Sequence, residues 1–227
     1  VLWGKRLFLM GDEEGKEHRS VLCIDADTGR ILWRRKYPVT HHRLHRDNDF
    51  TSATPCVDEH GIIVVWSNPK QFLMTALDLD GKEMWQRNLG PYKGLHGSSN
   101  SPIIADGLVV LANDQMDPKR FAFYLPKDTN KDPGESFLIA LDRKTGKTQW
   151  KVKRRSELAG YATPCIRRVG GRTEVVFTST AHGITAVDLQ SGRISWEIDK
   201  IWDDRTVSSP QLFGDLVFGS FGRGLSG

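Results

Sequence analysis

The chain has 227 residues, of which 38% are hydrophobic, 26% charged and 9% aromatic. This composition excludes a disordered or fibrous polymer and is enough for one large globular domain with a sizeable core. The net charge is only +4, and the basic residues are scattered rather than striped (Lys5, Arg6, Arg34, Arg35, Lys36, Arg154, Arg155, Arg167, Arg168), which argues against nucleic acid as a partner. No apolar run approaches the ~18 residues of a membrane span, so no transmembrane segment is expected. Cys23, Cys56 and Cys165 are too few and too odd in number for a disulfide scaffold. They read as small buried hydrophobes.

Along the chain, short β-prone runs alternate with Gly, Asp-Gly and Pro turns. Val1-Leu-Trp3 reads as the tail of a first strand, Gly4-Lys5 as its turn and Arg6 to Met10 as a second strand. Further second strands are expected over Ile62–Trp66, Leu108–Leu111, Val175–Phe177 and Leu216–Phe218. Each follows a hairpin turn, at Gly61, Asp106-Gly107, Gly170-Gly171 and Gly214-Asp215. No stretch shows a 3.6-residue period, so the fold is expected to be all-β.

One segment recurs four times. It runs from Cys23 through Asp25, Thr28 and Gly29 to Trp33. The other copies are Ala76-Leu-Asp78 with Gly81 and Trp85, Ala140-Leu-Asp142 with Gly146 and Trp150, and Ala186-Val-Asp188 with Gly192 and Trp196. The tryptophans lie 52, 65 and 46 residues apart. A second marker keeps the same phase: Thr54-Pro55, Ser101-Pro102, Thr163-Pro164 and Ser209-Pro210 each open a unit, with Pro at a strand start where its missing N–H is harmless. Within the turn, Asp can bond nearby backbone N–H groups and Gly supplies a positive φ. The Trp is a large plate suited to sealing one unit against the next. Units of this length with four strands each describe blades of a β-propeller. The blades are expected at about 1–37, 52–90, 100–154 and 161–199, with a partial fifth at 207–227. The chain is read as part of a ring of seven or eight blades.

The repeat resembles the pyrroloquinoline-quinone-type propeller motif, Ala-x-Asp-x-x-Thr-Gly-x-x-x-Trp, over nearly the whole chain. More narrowly, it resembles envelope propellers of the outer-membrane-assembly lipoprotein type. That resemblance implies a periplasmic or otherwise extracytoplasmic location. It also raises a quinone-dependent dehydrogenase oxidising an alcohol or sugar, whose site would need a vicinal Cys-Cys pair or equivalent ring clamp, a Trp floor, a Glu and Asn on calcium, and an Asp base. No two cysteines are adjacent here, and the repeat tryptophans are committed to packing. A shared blade does not transfer a reaction.

In such a blade, the connections between second and third strands and those between blades share one face, hereafter the loop face. The Asp-Gly-Trp turns occupy the other, the turn face. Length variation concentrates on the loop face, where binding tends to reside. Residues 37–51 carry His41, His42, His45, Asp47, Asn48 and Asp49. Residues 91–100 carry His96, Ser98, Ser99 and Asn100. An insertion from Asn113 to Glu135 carries Asp114, Gln115, Lys119, Arg120 and Tyr124, and His182 and Arg205 belong to the same side. The candidate binding face is therefore His41, His45, Asn48, His96, Asn100, Asp114, Gln115, His182 and Arg205. Three readings of the histidine loop stay open: a solvated loop, a polar pocket near the axis using His45, Asn48, Asp114 and Gln115, or a metal site from His41, His42, His45 and Asp49, whose spacing matches no zinc signature. Phe121-Ala-Phe123-Tyr124 is expected to cap a blade. Asp128-Thr-Asn130-Lys-Asp132 alternates oxygen side chains but lacks the Gly and closing Glu of a calcium loop. The turn face reads as structural. The expected function is a non-catalytic binding scaffold for a protein or glycan partner, with no catalytic, cofactor-binding or metal residue assigned. The quinone enzyme, with calcium, is the alternative.

Overall fold

The computed structural model describes residues 1–13, 15, 17–42, 44, 48–94, 96–121 and 132–222. Five antiparallel sheets follow one another along the chain, four of four strands and a last one of two. The first contains β1 (Leu2–Trp3), β2 (Arg6–Asp12), β3 (His18–Asp25) and β4 (Ile31–Pro38). The second contains β5 (Cys56–Asp58), β6 (Gly61–Asn68), β7 (Gln71–Leu77) and β8 (Glu83–Asn88). The third contains β9 (Ile103–Ala105), β10 (Leu108–Asn113), β11 (Ser136–Asp142) and β12 (Thr148–Arg154). The fourth contains β13 (Cys165–Val169), β14 (Arg172–Ser179), β15 (Gly183–Asp188) and β16 (Ile194–Ile198), and the fifth β17 (Gln211–Phe213) and β18 (Leu216–Phe218). Among the described residues there is no α-helix, only a 3₁₀ turn at Pro118–Phe121. Every sheet is a meander with strands in sequence order. β1 lies against β5, β5 against β9 and β13 against β17, so the short first strands line an axis. The protein is an all-β propeller.

The second strands read as unbroken apolar runs because both of their faces are buried. Ile62, Val64 and Trp66 pack on Phe8, Val21 and Cys23 of the first sheet. The intervening Ile63 and Val65 pack toward Val109, Leu111 and Phe137 of the third. Val110, Ala112 and Leu138 then face Val175, Phe177 and Val187 of the fourth. The core is thus a series of seams between sheets, not a single centre.

The repeated motif builds these seams. In register, Cys23 stands opposite Trp33, Ala76 opposite Trp85, Ala140 opposite Trp150 and Ala186 opposite Trp196. A register shift follows each of these small residues, just before the motif's aspartate. The small residue leaves room beside the indole, and the bulge turns the Asp into its loop. There Asp142 Oδ1 accepts from Thr145 N at 2.8 Å and Thr145 Oγ1 at 2.6 Å. Asp25 and Asp188 repeat the pattern with Thr28 and Ser191. These bonds hold the Asp25, Asp142 and Asp188 carboxyls below the ordinary carboxylate value. In the one-residue-shorter second copy, Asp78 bonds Asp80 N and Lys82 N instead.

Three of the four motif tryptophans then dock on the next sheet's turn. Trp33 Nε1 donates to Leu79 O at 2.9 Å, Trp85 Nε1 to Arg143 O at 3.0 Å, and Trp150 Nε1 to Leu189 O at 2.8 Å. The rings lie so close to Gly81, Gly146 and Gly192 that a Cβ there would meet indole carbons at 2.6–2.9 Å. Arg35 Nε and Arg87 NH1 add bonds of 2.6 Å to Gly81 O and Gly146 O. Trp196, which has no such turn before it in the two-stranded fifth sheet, packs with Val176, Ile184, Trp202 and Val217 and approaches Glu174 Oε2 at 3.4 Å. The unit-opening hydroxyls also link neighbours: Ser101 Oγ accepts from Thr54 N at 2.9 Å and Ser209 Oγ from Thr163 N at 3.0 Å.

The docking can be separated from backbone strain at the same motif position. Gly29 and Gly146 have φ of 72° and 68°, so alanine carries a similar αL cost of roughly 1–2 kcal/mol at either site. A Cβ at residue 29 meets nothing within 4 Å, whereas at residue 146 it meets Trp85. Gly146→Ala should therefore destabilise by about 1–3 kcal/mol more than Gly29→Ala, the usual cost of overpacking. Urea denaturation of both variants checks this, and equal losses would contradict the docking.

Candidate functional site

The loop face is held by polar side chains that point inward. Gln115 is 2% exposed. Its Oε1 accepts from Lys93 N at 2.9 Å, and its Nε2 donates to Pro91 O at 3.1 Å and Glu135 O at 3.0 Å. One amide thus joins the second inter-sheet connection to both ends of the 114–135 insertion. Asn48 Nδ2 donates to His96 O at 2.6 Å, tying the first inter-sheet connection to the second. Asn100 Nδ2 donates to Ala112 O at 2.5 Å.

The seam between third and fourth sheets is capped by a charged network. Arg154, on β12, donates to Thr185 Oγ1 and Ser179 Oγ, both at 2.9 Å, and lies 3.8 Å from Glu197. His182, in the β14–β15 turn, places Nδ1 3.2 Å from both Glu197 oxygens, and its Nε2 accepts from Arg155 N at 2.9 Å. Burial, then Arg154, pushes the His182 imidazole below its ordinary value, against the pull of Glu197. Asp114, directly after β10, is buried, with Oδ1 lacking a partner among the described residues. Burial pushes its carboxyl up to about 6, opposed by Arg154. Tyr92, Tyr161 and the buried Arg205 also come together: burial raises both phenols, and Arg205 acts the other way on each.

The candidate face expected from the sequence divides by burial. Asn100, Asp114, Gln115, His182 and Arg205 are at most 8% exposed. Of these, Gln115, Asn100 and His182 bond backbone groups from beneath the surface. His41 is exposed, edge-on to Phe50 at 5.7 Å, and Asn48 and His96 are half-buried. His45 and Asp47 lie outside the described residues, as do Phe123, Tyr124, Asp128 and Asn130. Among the described residues, no three His, Cys, Asp or Glu side chains come together as metal ligands.

Sequence reasoning missed the buried arginines. Arg19 lies 1% exposed, 5.2 Å over the Trp66 ring, in the seam between first and second sheets, and burial lowers its guanidinium to about 10. Arg143, inside a motif turn, is also 1% exposed and forks onto Asp58 at 2.8 and 2.9 Å. The turn face also carries an open cleft of about 980 Å³, with Asp58, His60, Ile104, Asp106, Arg143 and Arg168 among its walls. Arg168 forks onto Asp106 at 3.0 and 3.2 Å. Both forks join neighbouring sheets, so the cleft's arginines and these two aspartates are engaged in holding blades together. The quinone alternative requires an adjacent cysteine pair or an equivalent ring clamp. Cys23, Cys56 and Cys165 sit on three different sheets and are all free, so they do not form that pair.

The model of a family described as outer membrane protein assembly factor BamB matches residues 17–219. No curated protein matches the chain. Among solved structures, a europium-containing methanol dehydrogenase aligns with a TM-score of 0.59 at 14% identity, covering 89% of this chain and 41% of that one. The quinohemoprotein alcohol dehydrogenase ADHIIG from Pseudomonas putida HK5 aligns at 0.58 and 14% identity, covering 88% and 34%. BamB from Moraxella catarrhalis aligns at 0.41 and 13% identity, covering 97% and 68%. The chain spans about two fifths and one third of the two dehydrogenases, and at these identities the likeness is one of fold. Among the described residues, no helix is long and apolar enough to cross a membrane.

Asp114 gives a test of the buried network with a definite sign. Its folded value near 6 lies above the ordinary 3.8. A raised carboxyl costs nothing below pH 4, an increasing amount from 4 to 6, and its full amount above 6, roughly 3 kcal/mol as an upper bound. Asp114→Asn should therefore stabilise the protein at pH 8 and leave it nearly unchanged at pH 4, as measured by denaturant midpoints. A gain independent of pH, or a loss at pH 8, would contradict the assignment.

Proposed function

The chain belongs to the family described as outer membrane protein assembly factor BamB, and on that footing we propose that it is a non-catalytic propeller of the bacterial envelope, outside the cytoplasm, whose loop face holds a protein partner. The observation that carries this is the division of labour between the two faces. On the turn face, Asp58, Asp106, Arg143 and Arg168 bond one another across sheets. On the loop face, buried Gln115, Asn100 and His182 fix the connections from beneath, while His41, Asp49, Ser52, Lys119 and Arg120 remain exposed above them. Connections pinned from beneath by such bonds lose little freedom on binding, which favours association with a macromolecular partner. The family's described role in protein assembly favours a protein over a glycan. The dehydrogenase reading is supported by fold likeness alone, and the cysteines do not form its adjacent pair.

A photoreactive residue placed at His41 or Lys119 should crosslink to one envelope protein, whereas placement at Lys5 or Lys144 on the turn face should give none. Adducts only from the turn face, or quinone- and calcium-dependent dye reduction with an alcohol or sugar, would overturn the proposal.

A further inference from the structure

We propose that His182 is a proton-sensitive tether that clamps the connection between the third and fourth sheets onto the loop face. The connection begins at Arg155, directly after β12, and runs to Pro164 before β13. Its first backbone N–H is bonded by His182 Nε2 at 2.9 Å. An imidazole can accept there only when Nε2 carries no proton, so the N–H must be on Nδ1, where the Glu197 carboxylate lies 3.2 Å away. The contacts thus select one tautomer of the neutral ring. Protonation converts Nε2 from acceptor to donor, opposes it to the Arg155 N–H, and leaves that part-buried amide without its acceptor.

The charges around the ring decide how readily this happens. From β16 comes Glu197, which favours the imidazolium. Arg154 and Arg155, at the end of the third sheet, disfavour it, as does burial. Asp199 acts from beyond β16 but is forked by Arg155 at 2.8 Å on each oxygen. The tether therefore holds at neutral pH, and it is released as the pH falls below the ordinary histidine value of 6.5, because the folded value is depressed.

Release would reach beyond one amide. In the same connection, Glu157 O accepts from Asp117 N at 2.9 Å, and Tyr161 N donates to Thr206 O at 3.1 Å. Gly160 lies against Asp114, where a Cβ would stand 3.0 Å from Oδ2. The tethered segment therefore braces both the 114–135 insertion and the connection leading to the fifth sheet. Asp114 titrates with the opposite effect on stability, so global unfolding would mix two signals and a local probe is required. Consequences for partner capture rest on the loop-face reading above, whereas the tether itself is tested without any partner.

Hydrogen exchange of the Arg155 amide, corrected for its intrinsic rate, should lose up to about tenfold in protection per pH unit between 6.5 and the depressed folded value of His182, where only the released ring binds the proton, and level off below it. The Val64 amide, in β6 of the second sheet, should not follow it. His182→Gln places a non-titrating acceptor near the Nε2 position and should abolish the pH slope. Glu197→Gln should move the transition to lower pH. A flat profile for Arg155 in the unaltered protein, a slope shared with Val64, or a slope that survives His182→Gln would each overturn the proposal.

Discussion

The structure depends on an indole ring laid across a glycine turn of the neighbouring sheet. A four-stranded meander of this size has two apolar faces and cannot bury either alone, so its stability comes from being stacked. The docked tryptophan fixes how the stack is made. It covers apolar surface, donates one hydrogen bond to the adjacent turn, and requires a residue without Cβ beneath it. The Asp-centred turn presents that glycine at a positive φ, and the small residue opposite the indole leaves space for the plate on its own sheet. Each element of the motif is meaningful only with the blade beside it.

Fixing the seams also fixes where variation is tolerated. The turn face reproduces the docking at three successive seams, so its connections stay short and its arginines bridge sheets, as in Arg143–Asp58 and Arg168–Asp106. The loop face carries no docking and can lengthen. Its long connections still contain backbone groups that need partners. Gln115 meets three of these demands with one side chain, Asn48 and Asn100 meet others, and His182 meets one at Arg155. The polar residues of this face are therefore largely internal, and the surface we propose for a partner is the outer skin of the loops they support.

This explains how far the sequence could be read. The blades were legible because the motif repeats with its own internal logic: Ala, Asp, Gly and Trp each have a fixed place, and the Thr/Ser-Pro marker keeps the same phase. The β-prone run Ile62 to Trp66 signalled a second strand, and it lies within β6, with both faces buried. The role of the loop residues was not legible. Nothing in the spacing of Asn100, Asp114 or Gln115 says whether a polar side chain turns outward to a ligand or inward to a stranded amide, since that depends on connections separated by tens of residues. The buried Arg19 and Arg143 were hidden for the same reason, as each looks like a surface residue until the neighbouring sheet supplies Trp66 or Asp58.

The most direct test of the docking is a double-mutant cycle across the third and fourth sheets. Trp150 and Gly192 are in contact, and a Cβ at residue 192 would stand 2.6 Å from the indole. Trp150→Ala, Gly192→Ala and the double variant should show a coupling of roughly 1–3 kcal/mol, the double variant being more stable than the sum of single losses implies, because the added methyl collides only while the indole is present. Strict additivity would mean that the tryptophan does not rest on the neighbouring turn, and the account of how these sheets are joined would fail.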